Sequence, residues 1–470
     1  MFARHLLSDA AVEAIGQSVL TILERVGVLC QNEEMLRALD RFGARVDMRC
    51  EQVRFPQRLV KDFVQGLQAE AGSHPVAEAA FTPPPPPTLG TQVAQFYYDD
   101  ERGEALPGSR ELFIRLIKLG DALHPEAGVG HCLLLREVPP LLEPLEAGLV
   151  LAEYSWRPGP PFAWDVRQVD YLLEMGEIIG RPNWFTMGAI CFAHPLRFDR
   201  DVANRFVRMA KLGLPIGLTG MQVAGATTPV TVAGFVAVSA AEFLATWIAG
   251  RALNPNAPLG GIIWPGTVDM KSGTVSYSAP DALLRGFATS EFLRRWCGLS
   301  IRVGGGEYSA AKVPGLYTAL EKAYKAMTIA AFTGYHPPVG EGMLDCGRII
   351  SPVQLLLDRE FNEALRSLAG PVLATADEIG LEEILAIGFG LQRSHLDTEH
   401  TLRHFRRSLW LPQLIERSGW AGFADEQAAL ERARARVHAL VEAYRKPNVD
   451  ADKLARMRAV VEKARVQLLS

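Results

Sequence analysis

No C-x-x-C pair occurs among the six cysteines, Cys30, Cys50, Cys132, Cys191, Cys297 and Cys346, which are scattered over 470 residues. In a chain this long, that usage points to reduced thiols and not to a disulfide framework. Lys and Arg form no block that would follow a phosphate backbone, and the formal net charge is -4, so nucleic acid is not the expected partner. The opening residues M-F-A-R-H-L-L-S-D lack the cationic region and apolar core of a secretory signal. No run is expected to cross a bilayer without a Gly, Pro or charge intervening. The expectation is a soluble, cytoplasmic protein with no membrane partner. Familiar catalytic signatures are missing as well: there is no G-x-S-x-G, no H-E-x-x-H and no P-loop. Cys191 and His194 stand three apart and His131 abuts Cys132, but neither has companion ligands at useful spacing, so no metal site is expected. The glycine run 304–306 lacks the fuller pattern of a phosphate cradle and reads as a tight turn.

What the chain does have is size and periodicity. A 48% hydrophobic and 22% charged composition is that of an ordinary globular enzyme with a large core. Residues 8–26 carry Val12, Ile15, Val19, Ile22 and Val26 at helical steps behind Ser8, a plausible N-cap. A second helix, 32–42, stops at Gly43, and a third begins near Pro56. Five prolines, 83–87, make a stiff connector. Strand-like runs then follow at 93–98, 128–135, 161–165, 184–192, 214–221, 259–264, 300–304 and 334–339. Helical patterns alternate with them at 109–119, 166–179, 200–212, 230–250, 280–297 and 314–332. Strands alternating with helices of this length predict a parallel sheet. Eight of them fit a closed (β/α)8 TIM barrel. The expected architecture is α/β: an N-terminal helical subdomain (1–82), a proline-rich connector (83–91), the barrel (92–370) and a C-terminal helical extension (371–470).

In a barrel the chemistry sits just after each strand. Those positions hold Asp165, Phe192 with His194, Met221 with Gln222, Trp264, Glu307 with Tyr308 and Lys312, and Tyr335 with His336 and Glu341. The set is rich in aromatics and carboxylates and poor in nucleophiles. A ring of π faces beside carboxylates suits a quaternary ammonium, whose charge cannot be hydrogen-bonded. Core packing is the alternative for each aromatic taken singly, and an ion pair bracing the rim is the alternative for Glu307, Glu341 and Lys312.

Several motifs carry a family resemblance. G-A-T-T-P-V-T-V-A-G (225–234), D-M-K-S-G (269–273) with Tyr277, G-M-L-D-C-G (342–347) and H-T-L-R-H-F-R (400–406) with Trp410 and Pro412 resemble hallmarks of the trimethylamine:corrinoid methyltransferase family. L-x-x-V-G-V (23–28) and F-G-A-R-V-D (42–47) match as well, so the resemblance covers nearly the whole chain in order. It implies a TIM barrel that moves a methyl group from a methylated amine to the Co(I) of a corrinoid on a separate carrier protein, with no cofactor bound by this chain itself. All letters here are standard, which is similar to the non-pyrrolysine branch acting on quaternary amines such as glycine betaine. On that reading Glu307, Tyr308 and Glu341 are the catalytic candidates. Phe192, His194, Met221, Trp264, Arg302, Lys312, Tyr335 and His336 line the substrate, with Lys312 or Arg302 taking its carboxylate. A homo-oligomer is expected. Two segments depart from the family pattern, G-G-E-Y-S-A-A-K (305–312) and R-S-H-L-D-T-E-H (393–400). They keep open a non-catalytic amine-binding protein, or methyl transfer to another acceptor.

Overall fold

A computed structural model describes residues 5–72, 88–368, 373–417 and 424–470; the five prolines fall outside the described residues. The helix Asp9–Arg25 is capped by Ser8, whose Oγ accepts the Ala11 N–H at 3.2 Å. Asn32 caps Glu33–Phe42 in the same way, and Gly43 ends it at φ 106°, a left-handed conformation that suits glycine. Interleaved with these helices is a small antiparallel sheet of Val28–Cys30, Arg45–Asp47 and Gln52–Arg54, with Gln52–Arg54 in the middle, which the helical pattern of this region does not announce. Val28–Cys30 also pairs in parallel with Arg197–Phe198, and its side chains join the same apolar core as the central helices.

The central region is mixed α/β, its strands falling into sheets of two to four members. Parallel neighbours follow one another in sequence. Ala94 bridges Leu133 and Val129 bridges Pro158, and Phe162–Ala163 pairs with Thr186–Met187. The Thr219 N–H reaches the Ile190 carbonyl at 2.8 Å. Ile216–Gly220, Leu259–Ile263 and Arg302–Val303 then run side by side. The strand expected at 334–339 does not form. Pro337 and Pro338 remove two consecutive N–H donors, and the chain there is irregular. A hairpin of Met343–Leu344 and Ile349–Ile350 follows it, and its second strand pairs in parallel with Phe96–Asp99.

The longest helix, Val232–Leu253, begins at Thr231, whose hydroxyl accepts the Gly234 N–H. Its buried residues lie on every side, and a helix of that kind is stable only when protein or lipid surrounds it. Its length and composition would allow it to cross a membrane, although Gly234, Glu242, Gly250 and Arg251 interrupt it, and here it is mostly buried within the fold. Asp9–Arg25, Glu33–Phe42 and Pro280–Cys297 pack on it. Two further helices, Glu143–Tyr154 and Pro352–Ser367, were not anticipated, and both are buried along most of their length. The tail helix Ala424–Ala443 packs on Arg110–Leu123, and Ala451–Leu468 packs on Glu143–Tyr154 and Val169–Ile179. Trp247, in the C-terminal half of this helix, is fully buried and donates its indole N–H to the Gly260 carbonyl at 2.7 Å. Trp247→Ala is expected to cost about 3–5 kcal/mol, because it opens a cavity and strands that carbonyl; chemical denaturation of the purified variant measures it.

Candidate active site

Three aromatic rings gather after the ends of the parallel strands. Trp264 follows Leu259–Ile263 directly, and Tyr308 closes the turn after Arg302–Val303. Their ring centroids lie 5.6 Å apart at 41°. Tyr277, which follows the short strand Val275–Ser276, meets Tyr308 edge-on at 6.4 Å and 60°. The glycine run 304–306, read as a tight turn, has a more specific task. A Cβ on Gly304 would overlap the Trp264 indole, so only glycine lets the backbone pass behind that ring.

Two carboxyls lie beside the rings. Glu307 accepts from the Gln92 side-chain amide at 2.8 Å and from the Gly305 N–H at 3.3 Å. Glu341 is buried, and one of its oxygens accepts the Thr91 hydroxyl while the other, Oε2, is buried with no hydrogen-bond partner. Burial pushes the Glu341 carboxyl up to about 8; the Glu307 charge adds to this, and the Thr91 bond and Lys322 oppose it. Burial also raises Glu307, against its backbone hydrogen bonds and the nearby Lys325 and Lys322. Behind these groups the helix Leu316–Thr333 contributes two fully buried lysines. Lys322 pairs with Asp358 at 2.7 Å. Lys325 donates to the Tyr308 carbonyl, and burial pulls its ammonium down to about 8. Cys132, whose thiol is electrostatically coupled to Glu341, is wholly buried and pushed far up by that burial, so it offers no thiolate nucleophile. Among the described residues, no three His, Cys, Asp or Glu side chains are grouped as metal ligands would be.

Several expected site residues lie elsewhere. Phe192 packs against Phe198 at 4.4 Å and Phe206 at 5.7 Å, within the apolar core. Side chains alternate along an extended chain, and Phe192 falls on the side facing the helix Arg200–Lys211, which carries Phe206. Arg302 lies at the entering end of its strand, with its guanidinium 5.0 Å over the Tyr335 ring. Both line a surface cavity of about 210 Å³ with Leu6, Glu291 and Phe332, whose lining does not include Trp264, Tyr308 or Tyr277. Lys312 is exposed and already paired with Asp345, which also takes Arg348 at 3.2 Å. His336 is buried, with Nδ1 2.9 Å from the Pro337 carbonyl.

His194 belongs to a brace. Its Nδ1 lies 2.8 Å from Glu242 Oε2, and Glu242 also accepts from the Leu196 N–H and the Gln222 amide. The Met221 N–H points at His194 Nε2 from 3.1 Å, so Met221 enters through its backbone. Burial opposes charge on His194 while Cys191 and Glu242 favour it, a balance that lies at about 9. The Met221 N–H needs a lone pair at Nε2, however, and that bond selects the neutral ring with its proton on Nδ1. The brace ties together the loops after the fourth and fifth strand regions.

Sequence reading missed Tyr277, Thr91, Gln92 and the two buried lysines as parts of the site. Tyr277 carried a signal, since it stands beside the D-M-K-S-G motif. The lysines carried none, because nothing in a helical pattern tells a buried lysine from a solvated one. Glu341 gives the site a pH signature. Its carboxyl binds a proton more tightly folded than unfolded, so its contribution to stability falls as pH rises from about 4.5 to about 8, by at most about 1.4 kcal/mol per pH unit. Denaturation midpoints measured across that window should show the fall, and Glu341→Gln should flatten it.

The sequence matches the family described as Trimethylamine methyltransferase (MTTB) over residues 2–80 and 161–468. It is 22% identical over 467 residues to the trimethylamine methyltransferase MttB of Desulfitobacterium hafniense, covering 97% of this chain and 93% of that protein. It is 23% identical over 478 residues to the glycine betaine methyltransferase of the same species, covering 97% and 96%. With the trimethylamine methyltransferase MttB2 of Methanosarcina mazei it shares 27% identity over 282 residues, 58% of this chain, and spans about half that protein's length, 55%. The chain belongs to the trimethylamine methyltransferase family, whose members named here are methyltransferases.

Proposed function

We propose that this protein is a methyltransferase that takes a methyl group from a quaternary, betaine-like amine and passes it to a corrinoid held by a separate carrier protein. We further propose that the succession of parallel neighbours forms a (β/α)8 barrel, flanked by the N-terminal region (1–82) and the C-terminal extension (371–470). The observation that carries the functional reading is the trio Trp264, Tyr308 and Tyr277 set beside Glu307 and the unpartnered oxygen of Glu341. A quaternary ammonium offers no N–H, so π faces and nearby negative charge are what can recognise it. The near-full coverage of a relative named glycine betaine methyltransferase supports the same substrate class.

The residues then have defined tasks. Trp264, Tyr308 and Tyr277 strip water from the methyl groups and fix which of them faces outward. The amine leaves neutral once one methyl departs, so no general acid is required. Glu341 is mostly protonated at neutral pH before substrate arrives. A cation beside it favours the carboxylate, so binding drives its proton out and creates the counter-charge in place. Glu307, held by Gln92 and the Gly305 N–H, is a second carboxyl in the same field. A bound corrinoid would supply the nucleophile that this chain's buried Cys132 does not provide.

Calorimetric titration with glycine betaine, proline betaine, carnitine, choline and trimethylamine tests the cage. One quaternary amine is expected to bind, and Trp264→Ala to weaken it about 10- to 30-fold, the range of a desolvated cation–π contact of up to about 2 kcal/mol. Absence of heat from every quaternary amine would sink the reading. Titrations repeated at pH 7 in buffers of different ionisation enthalpy should reveal release of up to roughly one proton per amine bound. Glu341→Gln should abolish that release.

A further inference from the structure

The helix Leu316–Thr333 is built inside out. Its inward face carries Lys322 and Lys325, both wholly buried, with Thr318 and small alanines between them. Its outward face carries Tyr317, Leu320, Tyr324 and Met327, continued by Val313 before the helix, and every one is exposed, Tyr317 at 74% and Leu320 at 54%. The only other exposed position in the helix is Ala331. No charged side chain is exposed anywhere along it. A surface helix ordinarily shows the reverse distribution, with apolar side chains inward and charges in water.

The spacing of the outward side chains is specific. Positions 313, 317, 320, 324 and 327 step by 4, 3, 4 and 3 residues, the a/d rhythm of a helix that packs along another helix. We infer that this stripe is the seam of a two-fold homodimer, in which the helix Leu316–Thr333 of one copy packs antiparallel against the same helix of a second. An isologous contact requires that if one residue meets another, the second meets the first. An antiparallel pairing centred near position 322 satisfies this: Leu320 meets Tyr324 of the second copy, and Tyr317 meets its Met327.

Area favours a second copy as the occupant. Five large side chains, each exposing about half of some 200 Å², bury roughly 500 Å² per copy. The pair together reaches the roughly 1,000 Å² at which a specific interface becomes tenable. The absence of exposed charge on the helix leaves nothing for an acidic or basic partner to read. The inference does not depend on the proposed reaction, since the stripe faces away from the buried lysines that lie behind the aromatic cluster.

Sedimentation velocity of the full chain at micromolar concentration tests it. The unmodified protein should sediment at about twice its 51.5 kDa. Leu320→Glu and Tyr324→Lys, each at an exposed position, should each give monomer while keeping the thermal midpoint of a folded chain. Combined, L320E with Y324K places opposite charges across the seam and should restore the dimer. Three outcomes would overturn the inference: an unmodified chain that is monomeric, leaving the stripe for a different protein; a Leu320→Glu variant that associates as before; or a double variant that stays monomeric.

Discussion

The buried ion pair between Lys322 and Asp358 is the contact on which the site depends. Both side chains are fully buried and their charged atoms lie 2.7 Å apart. Asp358 also accepts the Gly342 N–H at 2.8 Å and the Gln354 side-chain amide at 2.7 Å, and Gln354 in turn accepts the Gly315 N–H at 2.9 Å. One carboxylate therefore joins the helix Leu316–Thr333, the helix Pro352–Ser367 and the loop that presents Glu341. Such a pair adds little net stability over apolar residues of the same volume, but removing one partner strands a charge and costs about 3–5 kcal/mol. Its contribution here is positional. It fixes a proline-interrupted segment that forms no strand of its own.

The same low-dielectric surroundings explain the electrostatics above the pair. Glu341 and Lys325 are both driven toward their neutral forms near pH 8 by burial, so small changes in nearby charge shift protons there. A cation arriving beside Glu341 changes the local balance more than it would on a solvated surface. One helix thus serves two sides of the molecule. Its inner face holds buried lysines beneath the aromatic cluster, and its outer face is the apolar stripe. A shift of that helix at a subunit seam would be felt at Tyr308, whose carbonyl accepts from Lys325.

Much of the fold was legible because the signals are local. Ser8 caps the first helix where expected, and Gly43 ends the second. The helix Pro280–Cys297 has the boundaries its pattern predicts. The parallel runs near 216–220 and 259–263 stand where apolar stretches break into glycine and proline turns. The reading failed where tertiary context wins. A β-like run at 334–339 forms no strand because two prolines cannot donate, and the core helix Glu143–Tyr154 lacks the alternating pattern of a half-exposed element.

The site divides along the same line. By itself the sequence determined the family, through motifs that run in order along the chain, and it brought forward Trp264, Glu307 and Tyr308, because residues just after strand ends are held at one face by backbone geometry; Glu341 was brought forward by a strand at 334–339 that does not form. Only the tertiary structure decided which neighbours those residues have. It turned Phe192 into the core, set Arg302 against Tyr335 at a separate surface cavity, occupied Lys312 with Asp345, and added Tyr277 and two buried lysines. The physical reason is that local propensity sets where an element begins and ends. Side-chain direction, burial and charge pairing are properties of contacts between segments far apart in the chain.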